Sequence, residues 1–184
     1  MDTISFNARH IKNVTIAKKI CNEYKPMDVA LVKMNVNNKK DIDAIYRTTD
    51  EWDGSFTAFT YDDMKKAVTN KLLKDNIHIY ALTTQKNNYR NLNHEKILGV
   101  AEVLSYEGNS NKLEVLQTNP LYASNICHKN DLEYKHIGNT LLDHVKSEHN
   151  DKDIYVVSVE SAVNFYKNAG FKETLKGNSL VYKA

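Results

Sequence analysis

Apolar and polar positions along this chain alternate in two ways, which predicts a mixture of strands and helices. Runs rich in β-branched residues are typical of strands, and four of them occupy residues 28–36, 77–84, 97–106 and 112–118. Apolar residues at helical spacing predict helices over residues 40–51 and 62–75, the second with Asp62 in a position to cap its first turn. The aromatic-rich segment 52–60 between these helices is predicted to be a loop.

The N-terminal segment predicts a helix of its own. Its apolar residues recur at loose helical spacing before Pro26, which cannot continue a helix, and they are Ile11, Val14, Ile16, Ala17 and Ile20. We therefore expect a helical extension over residues 1–26 and one domain over residues 27–184.

The C-terminal third continues with alternating helices and strands. A helix is expected to bury one face made of Ile137, Leu141, Leu142 and Val145. A strand over residues 154–159, a helix over 161–168 and a terminal strand around Leu180 follow. This order predicts a mixed central sheet covered by helices, in an α/β or α+β domain.

Charge and cysteine content narrow the classes of partner. The 25 Lys and Arg residues nearly balance the 23 Asp and Glu residues and are interspersed with them, whereas nucleic-acid-binding domains concentrate their basic residues in a stripe. Cys21 and Cys127 are too few for a disulfide framework or a zinc site, and we expect both to be buried thiols. No apolar run is long enough for a signal peptide or a membrane span, so a cytoplasmic protein without nucleic-acid or membrane partners is expected.

Two segments carry the chemistry. The first, Glu133-Tyr-Lys-His-Ile-Gly-Asn-Thr-Leu-Leu142, runs from a turn into a helix, and the second, Ala162-Val-Asn-Phe-Tyr-Lys-Asn-Ala-Gly-Phe171, is a short helix ending at a glycine. Together they resemble the cofactor half of a Gcn5-related N-acetyltransferase (GNAT). The resemblance implies a mostly antiparallel sheet with one splayed parallel strand pair, flanked by helices. It also implies transfer of an acetyl group from acetyl-coenzyme A to an amine by direct attack, without a metal.

In the family, the first segment binds the cofactor through an Arg or Gln, two residues, Gly, one residue, then Gly or Ala. Aligning the paired leucines places Gly138 at the second small position, His136 at the first and Glu133 at the Arg/Gln position. Because the first amides of a helix lack partners within it and carry partial positive charge, they suit a pyrophosphate. The resemblance thus implies phosphate contacts from the amides of His136, Ile137, Gly138, Asn139 and Thr140, with charge from Lys135. Alternatively, Gly138 only begins the helix.

The pantetheine arm resembles a peptide and is expected to pair with a strand edge. By position this edge is Leu116, Gln117 and Thr118, opposite residues 154–159. Residues 121–132 are longer than the usual family connection and are expected to form a flap near the cofactor.

The second segment matches the family pattern Ala-x-x-Phe-Tyr-x-x-x-Gly-Phe at every defined position. In the family a tyrosine at the position of Tyr166 protonates the leaving thiolate, and its usual pKa near 10 keeps it protonated at pH 7. The alternative is that Tyr166 only packs against the pantetheine. Asn164 either contacts the cofactor or is solvated.

The sequence contains no clear motif for the catalytic base or for the acceptor site. Glu102 and Glu114 lie within predicted strands, an unusual place for a lone charge, so either is the base or each faces solvent. Trp52, Asp53 and Phe56 can hold an amine between aromatic faces and a carboxylate, or they can serve as packing residues and a turn. The acceptor is a small-molecule or peptide amine, and the protein is expected to be a monomer or homodimer.

Two other functions compete with this interpretation. A non-catalytic member of the fold would bind acyl-coenzyme A as a regulatory module, and His136 and Glu133 at motif positions favour it. An unrelated α/β domain would bind nucleic acid through its lysine-rich helices and would be indifferent to coenzyme A.

Overall fold

The computed structural model of this chain describes residues 8–52, 56–106, 110–122, 132–175 and 177–184. Over these residues five helices accompany nine strands. The helices are α1 (Lys39–Glu51), α2 (Thr57–Thr69), α3 (Lys71–Asn76), α4 (Ile137–Glu148) and α5 (Val163–Asn168). The strands are β1 (Arg9–Ile20), β2 (Glu23–Lys33), β3 (Ile77–Thr83), β4 (Ile97–Ser105), β5 (Ser110–Thr118), β6 (Tyr134–Lys135), β7 (Asp153–Val157), β8 (Lys172–Glu173) and β9 (Ser179–Tyr182).

All nine strands form one sheet in the order β6-β1-β2-β3-β4-β5-β7-β9-β8. Every neighbouring pair is antiparallel except β5 and β7, which are parallel. The expected mixed sheet, mostly antiparallel with a single parallel pair and flanked by helices, is therefore confirmed.

The prediction of an N-terminal helix before residue 26 is wrong, because the structure has strands there. Residues 9–33 form the long hairpin of β1 and β2, in which Ile16 pairs with Met27 across the expected domain boundary. The register shifts between His10 and Lys12, so Ile11 is the extra residue of a β-bulge. This insertion puts Ile11 three positions before Val14 and so imitates helical spacing within a strand.

The second predicted helix is displaced and divided. Helix α2 begins at Thr57, before Asp62 and inside the segment predicted to be a loop, and Asn70 separates it from α3. Asn70 adopts an extended conformation and its side chain accepts a hydrogen bond from the Leu73 amide at 3.1 Å, which caps α3. The predicted single helix is therefore divided because Asn70, a residue that favours the N-cap position, lies in the middle of its apolar pattern.

Each face of the sheet has its own core. Helices α4 and α5 cover one face, which we call the cofactor face, where Leu82, Leu113, Leu141 and Leu180 are fully buried. Helices α1 to α3 cover the opposite face, which we call the acceptor face, with Ile45, Met64 and other side chains buried beneath them. Strand β7 exposes Tyr155 and Val157 on the acceptor face, beside the strands that these helices cover.

Cys21 differs from expectation. It is exposed in the turn between β1 and β2, where Cys21 and Asn22 have φ values of 50° and 66°. Two consecutive residues with positive φ match the twist of a tight hairpin. Cys127 lies outside the described residues. Among the described helices, none is both long and apolar enough to cross a membrane.

Candidate active site

Strands β5 and β7 separate partway along their length. Their pairing ends at Leu113 and Val156, while β5 continues to Thr118 along β4. The register with β4 shifts at the same place, which makes Glu114 the extra residue of a β-bulge. Because a bulge bends the strand that carries it, β5 turns away from β7 and leaves one edge open.

Helix α4 begins beside this open edge. Its N-cap, His136, has φ 71° and ψ 9°, a left-handed conformation that glycine adopts without strain and other residues rarely adopt. Within the described part of the chain no side chain caps the helix, so the amides of Ile137, Gly138 and Asn139 have no acceptor in it. The left-handed turn explains why small residues suit the position of His136.

A cleft of about 470 Å³ lies between the diverged strands and the start of α4. Its size is typical of small-ligand pockets. It is lined by Leu116, Thr118, Tyr122, Leu132, Tyr134, Lys135, His136, Ile137, Gly138, Asn139, Val159, Ser161, Ala162 and Phe165. A Cβ built on Gly138 would stand 3.5 Å from Phe165 and 3.7 Å from Thr118, so the missing side chain leaves the cleft wider between β5 and α5.

The N-terminal hairpin supports one wall of this cleft. Strand β6 pairs with β1, and the Tyr24 hydroxyl donates a hydrogen bond to the Leu132 carbonyl at 2.7 Å. The ring of Tyr24 also lies under the Lys135 ammonium, with Nζ 3.7 Å from the ring centroid. The hairpin therefore positions the cation that lies just before the uncapped helix.

Four of the residues expected to contact the cofactor are not among those that line the cleft. Gln117 points to the acceptor face, where its Oε1 accepts a hydrogen bond from the Thr57 amide at 3.2 Å. The Thr140 amide is not free for a phosphate because it donates to the His136 carbonyl at 2.9 Å. Asn164 is exposed outside the cleft lining, and Tyr166 is buried behind it.

Tyr166 lies between aromatic neighbours. Its ring contacts Phe165 and Phe171 edge-on, with centroids 5.1 and 5.5 Å away. Burial raises the pKa of its hydroxyl well above the usual value, so the group stays protonated at neutral pH. Tyr166 therefore has the protonation state of an acid, although its neighbour Phe165 forms the cleft surface.

Glu102 is fully buried on the acceptor face of β4. Neither of its carboxylate oxygens has a hydrogen-bond partner among the described residues. Burial is the main cause that raises its pKa to about 7; the nearby carboxylates of Asp63 and Glu114 add to this rise, and the Thr60 hydroxyl opposes it. Such a pKa suits a group that accepts and releases a proton at neutral pH.

The other residues expected at the chemistry have distinct surroundings. Glu114 is partly exposed and forms an ion pair with Lys112. Trp52 is 4% exposed within the core under α1 and α2, which favours the packing role. Phe56 is exposed at the start of α2, and Asp53 lies outside the described residues.

Sequence reasoning missed the aromatic wall of the cleft. Tyr134 packs edge-on against Tyr122, with centroids 4.8 Å apart, and both line the cleft. The tyrosine directly before the basic residue of the turn was a usable signal in the sequence. The contribution of Tyr24 had no such signal, because it depends on pairing between segments 108 residues apart.

No family model and no curated protein matches this sequence. Solved structures do match. A protein from Desulfovibrio desulfuricans assigned as an acetyltransferase of the GNAT family is 14% identical, with TM-score 0.56 over 84% of this chain and 96% of that one. A GNAT-family acetyltransferase from Staphylococcus aureus is 21% identical, with TM-score 0.53 over 81% of this chain and 88% of that one. The chain has the fold of the GNAT acetyltransferases, as the two sequence segments led us to expect.

Proposed function

We propose that this protein is an acyl-coenzyme A-dependent N-acetyltransferase. The observation that carries the proposal is the cleft between the diverged ends of β5 and β7, which opens beside the uncapped start of α4. An open strand edge suits the peptide-like pantetheine, and free helix amides suit a pyrophosphate. The two features adjoin each other, as a ligand containing both groups requires.

The residues present fit coenzyme A. The amides of Ile137, Gly138 and Asn139, with Lys135 beside them, are the groups that would hold the phosphates. The edge of β5 around Leu116 and Thr118 would hold the pantetheine. Gly138 leaves open the space that a Cβ would fill beside Phe165 and Thr118.

When bound, acetyl-coenzyme A supplies the thioester acyl group that the acceptor nitrogen attacks. Glu102 takes a proton from that nitrogen, since its pKa of about 7 allows both proton uptake and release. Tyr166 is proposed as the acid: from its position behind Phe165, its hydroxyl has to reach the cleft to give its proton to the departing sulfur, and it is then reprotonated from solvent. Backbone amides on the open edge of β5 donate to the acyl oxygen. The acceptor ammonium loses two protons and the sulfur gains one, so each turnover releases one proton.

The proposal is tested by calorimetric titration with coenzyme A, followed by a thiol-release assay with acetyl-coenzyme A and a panel of amines. We expect binding and amine-dependent thiol release. Glu102→Gln should lower kcat by about 100-fold, whereas Glu114→Gln should have a much smaller effect. Absence of coenzyme A binding would overturn the proposal, and equal losses in the two variants would remove Glu102 as the base.

A second candidate is a non-catalytic acyl-coenzyme A-binding module. It is favoured by Glu133 at the position where the family has Arg or Gln, since Glu133 forms an ion pair with Lys18 at 3.5 Å rather than assisting an anion. Binding of acetyl-coenzyme A without amine-dependent thiol release would identify this alternative.

A further inference from the structure

Three histidines lie close together at the C-terminal half of α4, on the cofactor face of the sheet. His144 lies on α4, His149 is its C-cap and His78 lies on β3. The rings of His78 and His149 have centroids 5.1 Å apart, and His144 and His149 are only 6% and 7% exposed. We call these three residues the histidine cluster. It lies outside the described lining of the cofactor cleft.

Tyr80 of β3 joins this end of α4 to the sheet. Its ring packs edge-on against His144, with centroids 4.6 Å apart. Its hydroxyl is hydrogen-bonded to Nε2 of His149 at 3.3 Å. Because Tyr80 is fully buried, both contacts are shielded from water. The C-terminal half of α4 is therefore held on β3 through one tyrosine and two histidine rings.

The contacts of the cluster require neutral imidazoles. Nζ of Lys33 lies 3.1 Å from Nδ1 of His78, and because an ammonium group only donates, Nδ1 has to accept. If His78 were also protonated, two donors and two positive charges would face each other, so this pair holds one positive charge. Nε2 of His144 is buried without a hydrogen-bond partner among the described residues, so a charge on that ring would be unpaired there.

Burial lowers the pKa of each histidine in the cluster. It is the main cause that brings the pKa of His78 and of His144 to about 4, against a usual 6.5, and it also lowers the pKa of His149. Lys33 adds to these shifts, whereas Glu148 opposes those of His144 and His149. The titratable and charged groups around the cluster are Arg9 and Lys12 on β1, Lys33 on β2, Tyr80 on β3, Glu148 on α4, and Asp151 and Lys152 after it.

Helix α4 connects the cluster to the candidate cofactor site. His144 lies about two turns after Ile137, or about 10 Å along the helix axis. Leu141 and Leu142 between them are fully buried, so the helix packs on the sheet along this length. A change in how His144 and His149 contact β3 therefore acts on the same helix whose first amides are free.

We propose that the histidine cluster is a pH-dependent anchor of α4: neutral rings hold the helix where its first amides bind coenzyme A, and protonated rings release it. The inference rests on the proposed function, because coenzyme A is the ligand that those amides would hold. The three histidines act through α4 and are positioning residues. The anchored state is fully favoured above about pH 6.5 and loses stability as the pH falls toward 4.

Hydrogen exchange of the α4 amides at several pH values tests the anchor, because release of a helix exposes its amides to exchange. For one histidine with a pKa of about 4 when anchored and the usual 6.5 when released, release becomes about 30-fold more favourable at pH 5 than at pH 7.5. Protection of the α4 amides, corrected for intrinsic exchange rates, should fall by about 30-fold or more. Saturating coenzyme A should restore protection at pH 5, since it favours the anchored helix.

Two substitutions remove titrating rings while keeping their contacts. His78→Asn retains an oxygen that accepts from Lys33, and His144→Phe retains a ring edge-on to Tyr80. Each should reduce the loss of protection between pH 7.5 and pH 5 by about tenfold or more, and the double variant should reduce it further. His10→Asn is the matched control, because His10 is an exposed histidine on β1, and it should behave as the unmodified protein.

The outcomes separate the anchor from the proposed function. Equal loss of protection at pH 5 in the unmodified protein and in both single variants would overturn the anchor. Coenzyme A that binds at pH 7.5 but fails to restore protection at pH 5 would overturn its link to the cofactor. Absence of coenzyme A binding at pH 7.5, with the pH-dependent protection intact, would instead overturn the proposed function.

Discussion

Gly99 on β4 lies directly beneath Ile137, the first residue of α4. A Cβ built on Gly99 would stand 2.7 Å from Ile137 Cγ2 and 2.9 Å from Leu141 Cδ1, closer than side-chain atoms approach one another. The helix can lie this close to the sheet only because position 99 has no side chain. This contact fixes the height of the α4 N-terminus, and therefore of its free amides, above the open edge of β5.

Gly99→Val should consequently move α4 away from the sheet. We expect a loss of about 1 to 3 kcal/mol in the free energy of unfolding from overpacking, together with weaker coenzyme A binding. Denaturant unfolding and calorimetric titration measure the two effects. Val100→Ala, also in β4 but on the acceptor face, is a control that reduces stability without displacing α4. Unchanged affinity in Gly99→Val would show that the helix position does not determine binding.

Gly138→Ala should separate stability from binding. The new Cβ makes ordinary contacts of 3.5 Å or more, and alanine favours helices over glycine by about 0.5 to 1 kcal/mol, so the variant should be at least as stable as the parent. The same methyl group narrows the cleft beside Phe165 and Thr118. We expect about tenfold weaker coenzyme A binding by calorimetry. Unaltered affinity would support the alternative that Gly138 only begins the helix.

Tyr24 is expected to act through Lys135. Tyr24→Leu removes both the ring under the Lys135 ammonium and the hydrogen bond to the Leu132 carbonyl, whereas Tyr24→Phe removes only the hydrogen bond. We expect Tyr24→Leu to weaken coenzyme A binding by about three- to tenfold, and Tyr24→Phe by less.

Salt dependence identifies the charge involved. Lys135→Met should reduce the dependence of coenzyme A affinity on salt concentration, because one cation near the phosphates is removed. Lys25→Met is the control, since Lys25 lies on the same hairpin and pairs with Glu23 at 3.9 Å. An equal change in the two lysine variants would indicate a general effect of net charge, contrary to the proposed role of Lys135.

Tyr166→Phe tests the proposed acid. The ring and its contacts with Phe165 and Phe171 remain, so cofactor affinity should be retained while kcat falls by about ten- to a thousandfold. The assay is thiol release at saturating acetyl-coenzyme A. Undiminished turnover would leave Tyr166 with a packing role only.

Glu102→Gln should also change the pH dependence of stability. The pKa of this carboxyl is about 7 in the folded protein against a usual value of 4.5, so between these values the folded state holds a proton that the unfolded state has lost. The free energy of unfolding of the parent should therefore decrease as pH rises through this window, by about 3 kcal/mol from this group.

The difference between parent and variant isolates Glu102 from other titrating groups. Stability of Glu102→Gln relative to the parent should increase between pH 4.5 and 7 and then level off, as measured by denaturant unfolding at several pH values. A difference that does not vary with pH would show that Glu102 titrates normally and is a poor candidate for the base.

Local sequence patterns were sufficient to predict much of the fold. The strand over residues 77–84 and the helix beginning at residue 40 match β3 and α1 within one residue, because each combines a clear apolar period with well-placed ends. The Gly138 turn could also be located, since a free helix N-terminus needs only residues that are consecutive in the chain.

The N-terminal hairpin could not be predicted in this way. A bulge at Ile11 changes the apolar spacing from two to three residues, and a strand then shows the period of a helix. Only pairing with β2 distinguishes the two structures, and pairing is a property of two segments rather than one.

The sequence by itself determined the α/β class, most element positions and the two segments that resemble an acetyltransferase, because each depends on neighbouring residues. Tertiary structure alone decided that Glu102 lies buried without a hydrogen-bond partner among the described residues, that Trp52 belongs to the core and that Tyr24 supports Lys135. Burial and partnership arise when distant segments pack against one another, and the order of residues along a single segment does not encode the dielectric environment or the neighbours that packing creates.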